Sequence, residues 1–248
     1  MIRTGNSTQA ETQVENLKQP DKTVSTTAQT DKLLHIYADI ETDSFRANKL
    51  LQIAAVTEKN DIFNIYINPM EPLLLSTINF LGLHFYKGHL YRNGLRLQSY
   101  TIKEALNGFM KWIENQHDPV ILVFHNGFNF DCTILIRHLI DFKIKIPPNL
   151  VKFGDTLPFF RNAIKPPAIA NHTLASLASH FKIKQERAHC ALSDTQTLKQ
   201  ICESHVKENG GEVSTIFTNC TRSIQDFVNR QIFKTPMPKL KKPKPVAE

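Results

Sequence analysis

Two carboxylates stand two positions apart at the end of an apolar run in LLHIYADIET, residues 33–42. Residues two apart in a β-strand point to the same face, so Asp39 and Glu41 can reach one point at the end of that strand. Because burying carboxylates without a positive partner is costly, we expect a cation beside them. Oxygen ligands of this kind are those that Mg²⁺ and Mn²⁺ prefer.

Further acidic residues lie at the ends of other predicted elements. FHNGFNFD, residues 124–131, joins a predicted strand to a helix that begins at Asp131, and RAHCALSD, residues 187–194, places His189 before a helix that contains Asp194. Open α/β sheets gather functional groups at the ends of strands and the starts of helices, so we expect four carboxylates and a histidine to meet. Such a cluster could hold two cations and leave room for water and a phosphate.

Each acidic position also has a structural explanation when it is taken alone. Asp39 and Glu41 could lie in a loop, and Asp131 could cap a helix. His189 and Asp194 could form a solvated helix edge. Together, however, these explanations require acidic residues to occur independently at the ends of several apolar elements. A single fold explains their order along the chain. The joint pattern therefore favours a shared site.

The elements that would hold this site begin with three strands and continue with alternating helices and strands. The first three strands are too close in sequence for helical crossovers, which indicates an antiparallel flank. The predicted strands cover residues 33–42, 50–57, 61–67, 119–124 and 151–155, and the predicted helices cover residues 101–116, 131–142, 173–181 and 191–207. The predicted fold class is α/β, a mixed sheet with an antiparallel three-strand flank and surrounding helices.

Composition divides the 248 residues into a main domain and polar ends. Residues 1–31 are rich in Thr, Gln, Ser and Asn, as a flexible leader is. Residues 32–207 form the predicted domain, and residues 208–233 are an extension for which the pattern indicates only partial helix. Residues 234–248 carry five lysines and four prolines against one glutamate, which predicts an extended basic tail that acts as a nucleic-acid tether or an import signal.

Charge and cysteine content narrow the class of protein. The formal net charge of +7 favours polyanions as partners, although a solvated basic surface explains charge alone equally well. The four cysteines form no C-x-x-C pair, which argues against a zinc site or a disulfide scaffold. The apolar runs are too short for a membrane span, and the first residues lack a signal-peptide core. We expect a soluble intracellular protein of the nucleus or cytoplasm, without a membrane partner.

The three motifs, in this order, resemble those of the DEDDh 3′–5′ exonucleases on the ribonuclease H-like fold. The D-x-E motif corresponds to residues 39–41, the H-N-x-x-x-x-D motif to residues 125–131 and the H-x-A-x-x-D motif to residues 189–194. The resemblance covers about residues 33–207. Within the family, the segments INFLGL, EALNGFMKWI and FGDTLPFF are most similar to three-prime repair and PML-like exonucleases.

The resemblance implies a role for each member of the cluster. Asp39, Glu41 and Asp194 would bind a first Mg²⁺, and Asp39 would bridge to a second. Asp131 would hold the second ion directly or through water, and Mn²⁺ could substitute. His189 would be the general base that deprotonates the attacking water.

The implied reaction is hydrolysis of the terminal phosphodiester at a 3′ end, with release of nucleoside 5′-monophosphates. The implied partner is nucleic acid with a free 3′ end, with DNA favoured and a single strand expected. The relatives dimerise, so a homodimer is a further expectation. Two alternatives stay open: a non-catalytic nucleic-acid-binding module of the same fold, and an exonuclease that acts on RNA or short oligonucleotides.

Five further residues are candidates for substrate contact, namely Thr42, Phe45, Leu83, His125 and Asn126. Aromatic and apolar side chains can stack on terminal bases, but core packing or loop anchoring explains Phe45 and Leu83 equally well. His125 and Asn126 are expected to shape the second-motif loop and to lie near the substrate.

Overall fold

The computed structural model describes residues 33–43, 49–186 and 189–233. The predicted leader, the basic tail and Phe45 lie outside these ranges. The strands are β1 (Leu34–Thr42), β2 (Leu50–Thr57), β3 (Ile62–Ile67), β4 (Leu83–Tyr86), β5 (His89–Arg92), β6 (Leu95–Arg96), β7 (Ser99–Tyr100), β8 (Val120–Phe124), β9 (Leu150–Asp155) and β10 (Thr221–Ser223). The helices are α1 (Leu75–Leu81), α2 (Ile102–Glu114), α3 (Asp131–Asp141), α4 (Thr156–Ala163), α5 (Leu174–His180), α6 (Ala191–Asn209), α7 (Val213–Phe217) and α8 (Ile224–Phe233).

The central sheet has seven strands in the order β10-β9-β8-β1-β2-β3-β7. β1, β2 and β3 pair antiparallel, as the short connections between them require. β8 and β9 run parallel to β1, each reached through a helical crossover. This arrangement confirms the predicted ribonuclease H-like mixed sheet with its antiparallel flank.

Helices cover both faces of this sheet and divide the core in two. Along β1, Ile36, Ala38 and Ile40 belong to one core, which α2, α3 and α8 complete. Tyr37 belongs to the opposite core, beneath α4, α5, α6 and α7. Because side chains alternate along a strand, Asp39 continues the Tyr37 face, on which α6 packs.

α2 shows why the periodic segments were predictable. Thr101 and Glu104 form the expected capping box, in which each side chain accepts a hydrogen bond from the other residue's backbone N–H. The apolar stripe that follows is buried, with Leu106, Phe109 and Ile113 in the core. None of the helices in the described ranges is both long and apolar enough to cross a membrane.

A small three-stranded sheet, β4-β5-β6, was missed by the sequence analysis. Its hairpins turn at Lys87-Gly88 and Asn93-Gly94, where all four residues have a positive φ. Asn-Gly between short apolar runs is a strong hairpin signal, so the sequence did contain the information. Together with α1, the sheet encloses a third core of Leu51, Leu73, Leu81, Leu83 and Leu90.

Residues 208–233, predicted to be an extension of the domain, pack against the central sheet. α6 runs on to Asn209, and β10 pairs antiparallel with β9 at the edge of the sheet. Phe227 on α8 is fully buried in the core that contains Ile36, Ala38 and Ile40 of β1. The guanidinium of Arg222 lies 4.7 Å from the ring centroid of Phe128, in the loop that precedes Asp131.

Candidate active site

β1 and α6 bring three carboxylates together. One oxygen atom from each of Asp39, Glu41 and Asp194 lies within 4.8 Å of the other two. Asp131, at the start of α3, is near enough for its charge to raise the pKa of both carboxyls on β1. The structure thus brings the four carboxylates of the three motifs together at the carboxyl-terminal end of β1.

Burial and mutual repulsion favour the protonated forms of these acids. Desolvation, followed by the charges of Glu41, Asp131 and Asp194, raises the pKa of Asp39 well above its ordinary value. Desolvation, followed by the charge of Asp194, raises the pKa of Glu41 to about 8. Burial raises the pKa of Asp131 to about 7 and also raises the pKa of Asp194. Closely spaced oxygen donors with uncompensated charge fit a hard divalent cation.

The third motif fixes its aspartate through both carboxylate oxygens. The backbone N–H of His189 donates to Asp194 Oδ2 at 3.0 Å, and Gln185 Nε2 donates to Asp194 Oδ1 at 2.7 Å. His189 itself has a left-handed backbone, with φ of 60°. Its exposed imidazole lies against Phe80 of α1, with ring centroids 3.8 Å apart. Asp194 is therefore fixed by two hydrogen bonds, and the imidazole of His189 beside it is accessible to solvent.

Arg92 is a buried cation beside this site that the sequence analysis missed. From β5, its guanidinium donates to the Leu81 carbonyl at 3.1 Å, to the Tyr66 hydroxyl at 3.1 Å and to the His189 carbonyl at 2.7 Å. Its positive charge partly offsets the rise in the pKa of Glu41. The hairpin that carries Arg92 was not predicted, and its acceptor at His189 lies 97 positions away in the sequence.

Gln52 is a second positioning residue that the sequence did not reveal. It lies directly opposite Glu41 in the β1–β2 register. Its Oε1 accepts a hydrogen bond from the backbone N–H of Ala191 at 3.2 Å, and its Nε2 donates to Asn64 Oδ1 at 2.8 Å. Gln52 therefore ties the start of α6 to the strand that faces the carboxylates of β1.

Asp155, at the end of β9, holds the loop of the second motif. Its carboxylate accepts hydrogen bonds from the backbone N–H groups of Asn126 at 2.8 Å, Phe128 at 3.1 Å and Leu157 at 2.9 Å. The first two bonds hold the loop that precedes Asp131, and the third caps the start of α4. Asn126, a predicted substrate contact, thus has its backbone engaged by the protein.

His125 and Leu83 have protein partners in place of the expected substrate. The ring nitrogens of His125 lie 2.8 Å from Thr156 Oγ1 and 2.8 Å from the carbonyl oxygen of His172. Burial lowers the pKa of His125, which favours the neutral ring in this position. Leu83 is 0 % exposed and packs in the third core, so the core-packing alternative describes it.

A cleft of about 570 Å³ opens beside the carboxylates. The side chains that define its character are Asp39, Glu41, Thr42, Phe80, Phe130 and Asp131. Two of these residues are aromatic and accessible: Phe80 is 60 % exposed and Phe130 is 40 % exposed. Thr42 was a predicted substrate contact, whereas Phe80 and Phe130 were not predicted. The cleft thus pairs an acidic floor with aromatic walls.

Comparisons with known proteins agree with this geometry. The RNase_T family, described as an exonuclease family, matches residues 94–202, which contain the second and third motifs. Exonuclease DPD1, chloroplastic/mitochondrial, of Arabidopsis thaliana is 27% identical over 177 residues, which are 67% of this chain and 54% of that protein. DNA polymerase III PolC-type of Mycoplasma genitalium is 29% identical over 127 residues, which are 49% of this chain and 8% of that protein.

Solved structures share the fold at low sequence identity. A structure of exonuclease I matches with a TM-score of 0.57 and 13% identity, over 82% of this chain and 46% of that one. Cell-death related nuclease 4 matches with a TM-score of 0.54 and 19% identity, over 73% of this chain and 64% of that one. The chain spans about half the length of the Arabidopsis relative and much less of the polymerase. The match to the RNase_T exonuclease family over residues 94–202, together with the three ordered motifs, shows that this chain is similar to exonucleases, and its fold is that of solved exonuclease structures.

Proposed function

We propose that this protein is a divalent-metal-dependent 3′–5′ exonuclease that hydrolyses terminal phosphodiester bonds and releases nucleoside 5′-monophosphates. The observation that carries the proposal is the approach of Asp39, Glu41 and Asp194 to within 4.8 Å, with Asp131 beside them. The raised pKa values of these acids support a site that needs cations to balance its charge. The match of residues 94–202 to the RNase_T exonuclease family supports the reaction class.

The carboxylates would divide the work of holding two Mg²⁺ ions, with Mn²⁺ as a substitute. Asp39, Glu41 and Asp194 would hold the first ion, Asp39 would bridge, and Asp131 would hold the second. Bound cations of this kind supply an activated water and stabilise the charge that develops on the phosphate and the leaving oxygen. The protein itself keeps these ligands in place. Gln52 holds the start of α6, and Gln185 donates a hydrogen bond to Asp194.

The aromatic walls of the cleft would receive the terminal nucleotide. Phe80 and Phe130 can stack on bases without regard to sequence, because every base has a π-face. Thr42 lines the same cleft and could donate a hydrogen bond to the sugar or phosphate. His189, exposed beside Phe80, would take the proton from the attacking water.

We propose a single-stranded 3′ end, with DNA favoured, as the substrate. Escherichia coli exonuclease I, which shares the fold, has been solved in complex with a dA16 oligonucleotide. Stacking a terminal base between Phe80 and Phe130 requires that base to be unpaired, which costs less free energy in a single strand than in a duplex. RNA stays the alternative, because discrimination depends on how the 2′-hydroxyl is received.

The direct test is to incubate the full chain with end-labelled oligonucleotides in Mg²⁺, in Mn²⁺ and in EDTA. Matched single-stranded DNA, double-stranded DNA and RNA would be compared, each with its 3′ end free or blocked. We expect mononucleotide release with either cation, none in EDTA, and protection by the 3′ block but not by a 5′ block. Rapid cutting of a closed circle would contradict the exonuclease assignment. Binding without turnover in any condition would favour the non-catalytic module.

Residues 234–248 are proposed to add electrostatic affinity for nucleic acid or to direct import into the nucleus, with the cytoplasm as the alternative location. The proposal depends on their five lysines and one glutamate, in a segment outside the described residues. Deleting them should weaken binding and its salt dependence without lowering the melting temperature. Fluorescence microscopy of the tagged full chain and of the deletion would test import, and analytical ultracentrifugation would test the expected homodimer.

A further inference from the structure

The small β4–β6 sheet presents an aromatic and basic face that the cleft does not use. Cross-strand pairing places His84 opposite Tyr91 and Tyr86 opposite His89. Tyr91 in turn lies opposite Arg96. Residues directly opposite one another in antiparallel strands project from the same face of the sheet. The face therefore consists of two tyrosines, two histidines and an arginine, which we call the outer face.

The alternation of burial confirms which face is outward. His84, Tyr86 and Arg96 are exposed, and Tyr86 is 60 % accessible. On the other face, Leu83 and Leu90 are fully buried in the third core. The apolar residues of these strands thus pack in the core, and the aromatic rings on the outer face point toward solvent. Such rings can stack on a ligand.

Charge around the outer face selects a polyanion. Residues 72–103 contain no aspartate or glutamate, in a chain that has 23 acidic residues. Of the four cationic residues in this segment, Lys87 and Arg96 are exposed on the small sheet, Lys103 lies on α2, and Arg92 is buried on the other face of the small sheet. The ammonium of Lys87 also lies 5.2 Å from the ring centroid of Tyr86, which places a cation beside the aromatic surface. Basic groups interleaved with accessible aromatic rings are the combination that binds single-stranded nucleic acid.

The outer face is also continuous with the cleft. α1, which carries Phe80, ends at Gly82 in a left-handed turn, and β4 begins at the next residue. The four residue-to-residue steps from Phe80 to His84 span at most about 14 Å. Arg92, next to Tyr91 on β5, contacts the carbonyl of His189. A strand whose 3′ terminus lies in the cleft therefore needs only a few more nucleotides to reach the outer face.

We propose that the outer face binds the single-stranded nucleic acid upstream of the terminus that is hydrolysed. The inference rests on the proposed function for the identity of the ligand and deepens it, since it adds a second contact region for the same substrate. Tyr86 and Tyr91 stack on bases, and Arg96 pairs with the phosphate backbone. Longer strands gain affinity from this face, whereas a dinucleotide occupies only the cleft.

The first experiment measures binding without hydrolysis. Fluorescence anisotropy of a labelled oligothymidylate of about 20 nucleotides is followed in EDTA with the full chain and its variants. Tyr86→Ala and Tyr91→Ala should each weaken binding roughly 5- to 150-fold, the effect of losing one stacked base. Tyr86→Phe and Tyr91→Phe keep the rings and should bind almost as the wild type does. Arg96→Ala should reduce the slope of log affinity against log salt by about 0.7.

Matched controls use residues of the same type elsewhere. Tyr100→Ala removes a partly exposed tyrosine from β7, and Arg230→Ala removes an exposed arginine from α8. Neither should change oligonucleotide binding. Because Tyr91 is only half-exposed, Arg96→Glu provides a variant that leaves the aromatic packing intact and still opposes the phosphates. It should weaken binding at least as much as Arg96→Ala, with an unchanged melting temperature.

The second experiment separates the outer face from the cleft. In Mg²⁺, Tyr86→Ala should raise KM for the long strand and leave KM and kcat for a dinucleotide unchanged. If the variants lose binding in EDTA while no chain hydrolyses any substrate, the proposed function fails and the outer face stands. If the wild type degrades 3′ ends but the outer-face variants bind and turn over long strands normally, the inference is overturned. Variants that alter only the sedimentation of the protein, leaving oligonucleotide binding intact, would also overturn it.

Discussion

The guanidinium of Arg92 donates a 2.7 Å hydrogen bond to the backbone carbonyl of His189, across 97 positions of sequence. The same side chain also donates to the Leu81 carbonyl and the Tyr66 hydroxyl. A planar fork with several fixed donors can satisfy three acceptors at once. Arg92 therefore joins the C-terminal end of α1, the strand β3 and the third motif.

Arg92→Lys should reduce kcat about tenfold or more, because one ammonium cannot keep all three acceptors and the backbone at His189 loses its anchor. Arg92→Gln should cost about 1–3 kcal/mol of stability as well, since a buried carbonyl is left without a donor. Steady-state kinetics and thermal melting measure the two effects. Arg230→Lys serves as the control, and a lysine variant with wild-type kcat and pH profile would reduce Arg92 to a purely structural role.

Glu41→Gln should stabilise the protein in EDTA above neutral pH. The pKa of Glu41 rises from its ordinary value of 4.5 to about 8 in the folded chain, so the folded state binds more protons than the unfolded state between these values. The contribution of Glu41 to stability is therefore present below pH 4.5 and is lost as the pH rises through about 8. The glutamine removes this loss.

The expected gain at pH 8.5 is at least about 1 kcal/mol, the free energy of a single pKa unit, with little gain at pH 4. Melting temperatures at the two pH values measure it, and Glu208→Gln at the exposed end of α6 is the matched control. Adding Mg²⁺ should stabilise the wild type more at pH 8.5 than at pH 5, because cations displace the bound protons. Equal melting temperatures for both proteins across pH would show that Glu41 carries no unfavourable charge.

Asp39→Asn should lower turnover by more than about 100-fold, since loss of an outer partner of a metal ligand already costs 10–100-fold. The melting temperature should not fall, because the variant removes one charge from a crowded set. Single-turnover hydrolysis and isothermal titration with Mg²⁺ measure the two consequences. Asp118→Asn, in an exposed loop, is the control, and a variant with near-normal turnover would remove Asp39 from the site.

Sequence patterns predicted the carboxylate cluster more completely than the residues that hold it in position. Asp39 and Glu41 follow a period-two strand, and Asp194 follows a helix start, so local rules were sufficient to place them together. Arg92 and Gln52 act through partners 97 and 139 positions away, and no local period encodes such pairs. The antiparallel pairing of β1, β2 and β3 was predictable for a similar reason, since short connections leave few topologies.

Loop residues were the least predictable because their orientation depends on tertiary partners. His125 belongs to the second motif and was expected near substrate, yet its ring is fixed by Thr156 and the His172 carbonyl. Leu83 alternates with exposed residues on a hairpin that was not identified, so its inward direction could not be derived. Phe80 lies in an apolar segment and Phe130 lies in the second-motif loop, and no local pattern indicates that either ring faces the cleft.

Gly127→Ala should disrupt the loop of the second motif. A Cβ added at Gly127 would lie 2.4 Å from Phe124 Cβ, which is buried at the end of β8, so the loop or the strand must move. Overpacking of this kind costs about 1–3 kcal/mol. Activity should fall further than stability because Asp131 follows the loop, and hydrolysis rates beside melting curves would show it. Gly108→Ala, whose added Cβ would meet only Phe63 ring atoms at 4.0 Å, is the control, and an unchanged Gly127→Ala enzyme would contradict the prediction.

His189→Asn should lower turnover about 10²–10⁴-fold, the usual contribution of a general base, while oligonucleotide binding is retained. The proposed mechanism needs the imidazole to accept a proton when water attacks, which the side-chain amide of asparagine cannot do. The ring is exposed and its backbone N–H, which holds Asp194, is kept by the substitution. Single-turnover hydrolysis across pH and Mg²⁺ concentration measures the effect, with His180→Asn at the end of α5 as the control. If high Mg²⁺ restores the variant's rate and its pH profile matches that of the wild type, His189 only orients Asp194 and another group removes the proton.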